Sequence, residues 1–300
     1  SKTKYSISGN YFNQEGVVIN SFFKRFTVRA NIDREVKSWL KIGLSSQAAH
    51  SRSSSSFTPA QGGLGGGGIN AALNFAPVFP IYAANGAYYR DFSSLNGNLV
   101  DNPVGLANER TDLYNTIRLL NNFFAEIRFS KDLVFRTSFG ADLFHGKSNL
   151  YSTRLIELGA GSNGVASVSA SQDLNWLNEN TLSYTRTFAD CLSVNALLGY
   201  TTQSYLNEAV TANAANFNND FASYHNLGSG ATLRAPGSSA SQWALISYLS
   251  RVNLGWEDKY LLTLTARADG SSRFGPNSKY GFFPSGAFAW RIINEDFMKD

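Results

Sequence analysis

The sequence predicts an all-β chain, an antiparallel meander of about ten long strands forming part of a transmembrane up-and-down β-barrel. Three observations carry this. Apolar and polar residues alternate with period two along many segments. Those segments run about 9 to 15 residues, beyond the roughly 5–6 of globular strands and close to the roughly 9–11 that a tilted strand needs to cross a bilayer. The connections between them are short and long in turn, as in outer-membrane barrels, whose periplasmic turns are short and outer loops long.

Side chains on a strand point to opposite faces in turn, so each alternating segment has one apolar and one polar face. Lys4 to Phe12 opens the series. Phe22 to Asp33 carries Phe26, Val28, Ala30 and Ile32 against Arg25, Thr27, Arg29 and Asn31. Val36 to Leu44 sets Val36, Leu40, Ile42 and Leu44 against Lys37 and Lys41. Ile117 to Phe129 and Leu133 to Leu143 follow on odd positions, with Phe123, Ile127, Phe135 and Phe139. Leu182 to Phe188, Leu192 to Tyr200, Ala244 to Trp256, Tyr260 to Asp269 and Phe282 to Ile292 place their apolar side chains on even positions. Short turns are expected at Arg34-Glu35, Ser130 to Asp132, Ala189-Asp190 and Glu257 to Lys259. Long connections are expected over Ser51 to Thr116, Gly146 to Asp173 and Asn207 to Gln242, with a medium one at Gly270 to Lys279. Only Asn13 to Gly16 is short where a long loop is expected.

Composition fits this reading and excludes others. Charged residues make up 16% of the 300 residues, against about a quarter in ordinary soluble domains, while aromatics reach 14%. A membrane helix needs about 20 nearly uninterrupted apolar residues, and the most apolar stretch, Ala71 to Ala84, is broken by Asn74, Pro77 and Pro80. One cysteine, Cys191, supplies neither a disulfide framework nor a metal cluster. The formal net charge of +4 has no basic run behind it, so nucleic acid is not an expected partner.

Rings and charges refine the faces. Trp256 and Trp290 lie on the apolar parity beside short turns and Trp176 beside a long loop, as interfacial indoles would. Trp39 and Trp243 fall on the polar parity. Arg25, Arg29, Arg128, Arg136, Arg251 and Arg267 all take the polar parity, the wall of a wet lumen. Lys24 and Arg186 stand on the apolar parity near strand ends, where a cation snorkels to the interface. Gly63 to Gly68 formally matches a dinucleotide-binding glycine pattern, but a Ser-rich tract precedes it, and a loop is expected. His50, His145 and His225 have no metal-ligand spacing, and no serine is singled out as a nucleophile. No catalysis, cofactor or metal is expected.

One segment is more specific. Arg267-Ala-Asp-Gly-Ser-Ser-Arg-Phe-Gly-Pro-Asn277, Lys279-Tyr-Gly-Phe-Phe-Pro-Ser285 and Ala289-Trp-Arg291, followed by Glu295 and Phe297, resemble the SusC/RagA-type TonB-dependent outer-membrane transporters of Bacteroidetes. Tyr5 to Gly9, Tyr11 to Gly16, Arg29 to Asp33 and Asn102-Pro103-Val104 resemble the same family. The resemblance implies location in the outer membrane and import of an oligosaccharide or peptide. It also implies TonB acting through a plug domain and a SusD-like surface lipoprotein over the long loops. Nothing in the chain resembles the plug or the TonB box, and such transporters close with about 22 strands. Residues 1–300 are therefore expected to be a partial barrel, without the plug and the C-terminal strands. Arg25, on the polar parity, and the loop rings Phe75, Tyr82, Tyr88 and Tyr89 are the candidate ligand contacts, the rings otherwise simply packing the loop. The alternative is a soluble or surface-exposed β-rich glycan-binding or adhesion module; a barrel-embedded hydrolase is a third.

Overall fold

The computed structural model describes residues 3–54, 68–90 and 100–298. The strands are β1 (Thr3–Glu15), β2 (Phe22–Lys37), β3 (Leu40–Ser54), β4 (Arg110–Arg128), β5 (Leu133–Ser152), β6 (Val165–Phe188), β7 (Leu192–Phe217), β8 (Gly230–Leu233), β9 (Gly237–Trp256), β10 (Tyr260–Ser271) and β11 (Tyr280–Trp290). They form one 11-stranded antiparallel sheet in sequence order, with the short β8 hanging on β7 and β7 pairing onward with β9. Each long strand expected from alternation is present. Among the described residues β1 and β11 pair on one side only.

The register keeps the two chemistries apart. Ile32, Leu44, Phe123 and Phe139 lie in one cross-strand row, and Val28, Ala48, Leu119, Leu143 and Leu174 in another. Polar-face neighbours instead form ion pairs. Arg118 meets Asp142 through two hydrogen bonds of 2.9 and 2.6 Å, and Glu126 lies 3.0 Å from Arg128 and 3.6 Å from Arg136. Gly43 leaves room on this face for the Phe124 ring, which a Cβ there would strike, and Arg136 stacks 4.1 Å above that ring. Away from the loop end no second layer covers the apolar face among the described residues: Ile7, Phe282 and Phe288 are 71%, 67% and 67% exposed. A soluble module would bury such rows.

Two details differ from expectation. The β2–β3 turn lies at Ser38-Trp39, not Arg34-Glu35, because alternation runs unbroken through a two-residue turn, and a register shift between Glu35 and Lys37 absorbs the mismatch. Trp39 thereby sits in the turn rather than on a polar strand face. Strands also climb further toward the long loops than their alternation shows: β6 starts at Val165 and β7 ends at Phe217. Gln172 and Asn178 on β6, and Thr202, Ser204 and Glu208 on β7, take the parity that is apolar elsewhere, so the period fades although pairing continues. The long linkers are correspondingly shorter, and β11 stops at Trp290 before two 3-10 turns.

Short turns gather at one end. Ala189-Asp190 and Glu257-Asp258 both hold positive φ, the backbone of a type I′ hairpin. Above them Tyr260 stacks on Trp290 and Phe288 at 6.4 and 6.5 Å. Arg186 reaches Asp132 at 3.9 Å and covers the Phe188 ring, the snorkelling geometry expected of it. Glu295 locks this edge, accepting from the Tyr260 hydroxyl at 2.7 Å and the Trp290 Nε1–H at 2.9 Å, with Lys259 Nζ at 3.3 Å.

Two outcomes follow. Leu264→Arg, on the apolar face, should destabilise the lipid-inserted receptor by about 2–4 kcal/mol, and Thr265→Arg, on the polar face, far less, as read from denaturant unfolding in phospholipid vesicles. The hydrogen bonds from Tyr260, then Trp290, hold the Glu295 carboxyl below its ordinary value of 4.5. The lock is therefore complete above that value and is lost as pH falls through the lower folded one. Fluorescence of a receptor retaining Trp290 as its sole tryptophan should show this acid transition, and Glu295→Gln should abolish it.

Candidate functional site

On the polar face, β1 to β4 and the adjoining part of β5 shape a concavity of about 570 Å³ lined by Asn10, Phe23, Arg25, Thr27, Arg29, Gln47, Thr116 and Arg118 among others. Alternation places them there: Asn10 faces Thr27, Arg25 faces Ser51, and Arg29 faces Gln47. Arg29 donates to Gln47 Oε1 from Nε and Nη2 at 3.1 and 2.5 Å, and Arg25 lies 6.0 Å over the Phe12 ring. Arg118 is neutralised by Asp142, whereas no ion pair among the described residues involves Arg25 or Arg29. The wall thus carries two uncompensated guanidinium groups among amide and hydroxyl groups, a surface suited to anionic and hydroxylated ligands.

A second polar-face cluster lies toward the long loops on β6, β7 and β9. Trp243 stacks on Tyr205 at 5.5 Å, Arg273 covers the Trp243 ring at 5.1 Å, and Asp173 accepts from the Tyr205 hydroxyl and the Asn207 amide at 2.6 Å each. Sequence reasoning did not nominate these residues. Their signal was present as an exception: Trp243 on the parity that carries Ser247, Arg251 and Asn253.

The longest connection folds over this end. It contributes α1 (Gly68–Asn74) and α2 (Pro103–Glu109), and the β5–β6 connection adds α3 (Glu157–Ala160). Residues 63–67 of the glycine run lie outside the described residues, and α1 begins at Gly68. The Asn102-Pro103-Val104 motif has a local cause. Asn102 Oδ1 caps α2 by accepting from the Val104 and Gly105 N–H groups at 3.0 and 3.1 Å, Pro103 occupies the first turn where no N–H is needed, and Asn102 Nδ2 donates to the Ile81 carbonyl at 2.9 Å. Asp101 accepts from Glu157 N–H at 2.8 Å, and burial pushes its carboxyl above the ordinary range. Ala71, Val100, Leu106 and Ile156 pack beneath, joining the two loops.

The candidate rings separate accordingly. Phe75 packs against that cluster. Tyr89 stacks on Phe79 at 4.9 Å. Tyr88 lies on Gly105, donates to Glu109 at 3.3 Å and has its phenol pushed up by burial first, so it stays a protonated donor. Tyr82 is paired with Tyr88 at 5.4 Å yet remains 52% exposed. Arg25 stands on the sheet wall with Arg29, apart from this ring group.

This geometry, a single curtain of long strands with one greasy and one wet face and all long connections at one end, can be compared with known proteins. No family model matches the chain. TonB-dependent receptor P3 of Formosa agariphila is 41% identical over 300 residues, covering 99% of this chain and 30% of that protein. TonB-dependent receptor P26 of the same species is 35% identical over 303 residues, and TonB-dependent receptor SusC of Bacteroides thetaiotaomicron 26% over 322.

The chain belongs to the SusC-like TonB-dependent receptors.

It spans about 30% of the length of these curated relatives. As part of a TonB-dependent receptor, its sheet is outer-membrane barrel wall, and its relatives are receptors rather than enzymes. The fold agrees: the RagAB peptide transporter superposes with a TM-score of 0.83 at 23% identity, over 100% of this chain and 34% of that one. The FpvAI–pyocin S2 complex matches more distantly, at 0.58 and 9% identity over 97% of this chain.

In this receptor wall Asn102 is the residue on which the loop canopy hinges. Asn102→Ala should cost about 1–2 kcal/mol locally. Hydrogen exchange at Val104 and Gly105 should accelerate while β4 and β5 remain protected.

Proposed function

We propose that the chain is part of the wall and loop canopy of an outer-membrane importer that takes up nutrients too large for passive diffusion, its ligand an oligosaccharide bearing anionic groups. Membership of the SusC-like receptors supports import. The observation that carries the ligand class is the pair Arg25 and Arg29, uncompensated on the polar face. The rings of Trp243 and Tyr205 add flat apolar surfaces of the kind on which sugar rings stack. In this reading further strands complete the barrel beyond β1 and β11, a plug fills its lumen and engages TonB, and a SusD-like surface lipoprotein closes over the canopy. Tyr82, exposed beside its partner ring, is the loop residue best placed to meet lid or ligand.

A peptide cargo is the second reading, favoured by the likeness to a peptide transporter. Charge separates the two. In the full-length receptor, Arg25→Ala with Arg29→Ala should weaken binding of an acidic oligosaccharide by roughly tenfold or more and leave a neutral one of equal length unchanged, measured by calorimetry. Equal losses for both sugars, or for neither, would remove the anionic-ligand assignment. Tighter binding of peptides than of either sugar would favour the second reading.

A further inference from the structure

On the apolar face the ladder changes chemistry within two rows. Val28, Ala48, Leu119, Leu143 and Leu174 are aligned and wholly apolar. Two residues nearer the loops the row is Phe26, His50, Ile117, His145 and Gln172. Two further on it is Lys24, Arg52, Asn115, Lys147 and Ala170. Strands β2, β3 and β5 thus turn basic at matching positions. On β5 the outward parity from Leu133 to Leu143 is apolar apart from Thr137, about the ten residues that a tilted strand spends in hydrocarbon, so His145 and Lys147 emerge at the outer headgroup level. Lys24 and Arg52 both lean over the Phe22 ring, at 5.4 and 5.9 Å. No ion pair among the described residues involves Lys24, Arg52 or Lys147.

Above this collar the segment after β7 folds back along the same face. Tyr224 and Leu227 pack against Tyr151, Ala166, Ala214 and Phe217. Between that segment and the sheet lies a cleft of about 720 Å³. His50, His145 and His225, all three histidines of the chain, line it with Lys147 and Asn149, and no carboxylate does. On this face Glu208 stands one strand beyond Gln172, and Glu15, opposite Phe22, lies one row from Lys24. Asn149 is 4% exposed and its Oδ1 has no hydrogen-bond partner, an acceptor buried in the cleft wall and waiting for a donor. Among the described residues no group of three histidine, cysteine or acid side chains has metal-binding geometry.

We propose that this collar and cleft hold the phosphorylated sugar headgroup of an outer-leaflet glycolipid. Phosphate oxygens satisfy Lys147 and its basic neighbours, a sugar hydroxyl or amide N–H donates to Asn149, and the acyl chains continue down the Leu119–Leu143–Leu174 row. The proposal rests on the membrane reading of this face, and insertion is scored separately below. A free phosphate shares the anion chemistry but has no acyl chains to lie along that row.

The test uses the full-length receptor in nanodiscs doped with bis-phosphorylated lipid A or its dephosphorylated form, with native mass spectrometry reporting retained lipid. Wild type should retain the phosphorylated lipid selectively, in the presence of millimolar inorganic phosphate. Lys24→Gln, Arg52→Gln and Lys147→Gln together should lower retention on the order of a hundredfold, each cation near a charged headgroup being worth about fivefold. Asn149→Leu should lower it with all charges kept, and Lys131→Gln, in a turn at the opposite end, should not. Heat-modifiable migration on gels establishes that each variant is an inserted barrel, so a failed membrane assignment is seen apart from a failed lipid site. Unchanged retention in the inserted triple variant, equal retention of both lipids, or displacement by inorganic phosphate would each overturn the proposal.

Discussion

Everything in this molecule depends on backbone pairing. In hydrocarbon no water competes for N–H and C=O groups, so a chain crossing as strands must satisfy each group in a neighbouring ladder. The sheet does this without interruption from β1 to β11, skipping only the short β8 on its path. Pairing in sequence order is the lowest-cost way to reach that condition, since each short turn brings the next strand alongside its predecessor. The same constraint governs the outer strands: a free row of backbone groups is untenable in lipid, so β1 and β11 need partners in the complete receptor.

Once pairing fixes the strands, period two assigns the chemistry. A side chain's parity decides whether it meets lipid or lumen, and the register carries that decision across neighbours. Arg118 and Asp142, Arg136 and Glu126 therefore neutralise one another across strands on the wet face, while Phe123 and Phe139 stand side by side on the other. The few departures lie where the environment changes. Arg186 belongs to the turn end, Lys24 to the loop end, and Trp243 to a part of the wall where an aromatic ring faces the lumen rather than lipid.

Much of this was legible in the sequence, because membrane crossing imposes alternation over the full crossing length. Tyr260 to Asp269 is an example: each even side chain is apolar, and β10 follows it almost residue for residue. The β2–β3 turn was not legible, since Ser38-Trp39 preserves the period and the bulge before it leaves no compositional mark. The upper halves of β6 and β7 were hidden because Gln172, Asn178, Thr202 and Ser204 interrupt the apolar parity, and because the small outward residues above them, Ala166 and Ala214, pack beneath Tyr224 and Leu227. In the canopy, Asn102-Pro103-Val104 was visible as a motif, but its work of capping α2 while tethering Ile81 depends on residues distant in sequence. Arg25 was legible from parity, whereas its company with Arg29 and Gln47 required the register.

The central claim is that one face of this sheet meets lipid and the other water. Nitroxide labels placed singly along Tyr260 to Asp269 of the full-length receptor in bilayers test it most directly, through relaxation by oxygen, which partitions into lipid, and by a water-soluble nickel chelate. The account predicts a period of two, with Tyr260, Leu262, Leu264, Ala266 and Ala268 relaxed by oxygen and Thr263, Thr265 and Arg267 by the chelate. Equal relaxation at all positions, or chelate access at the even ones, would contradict it.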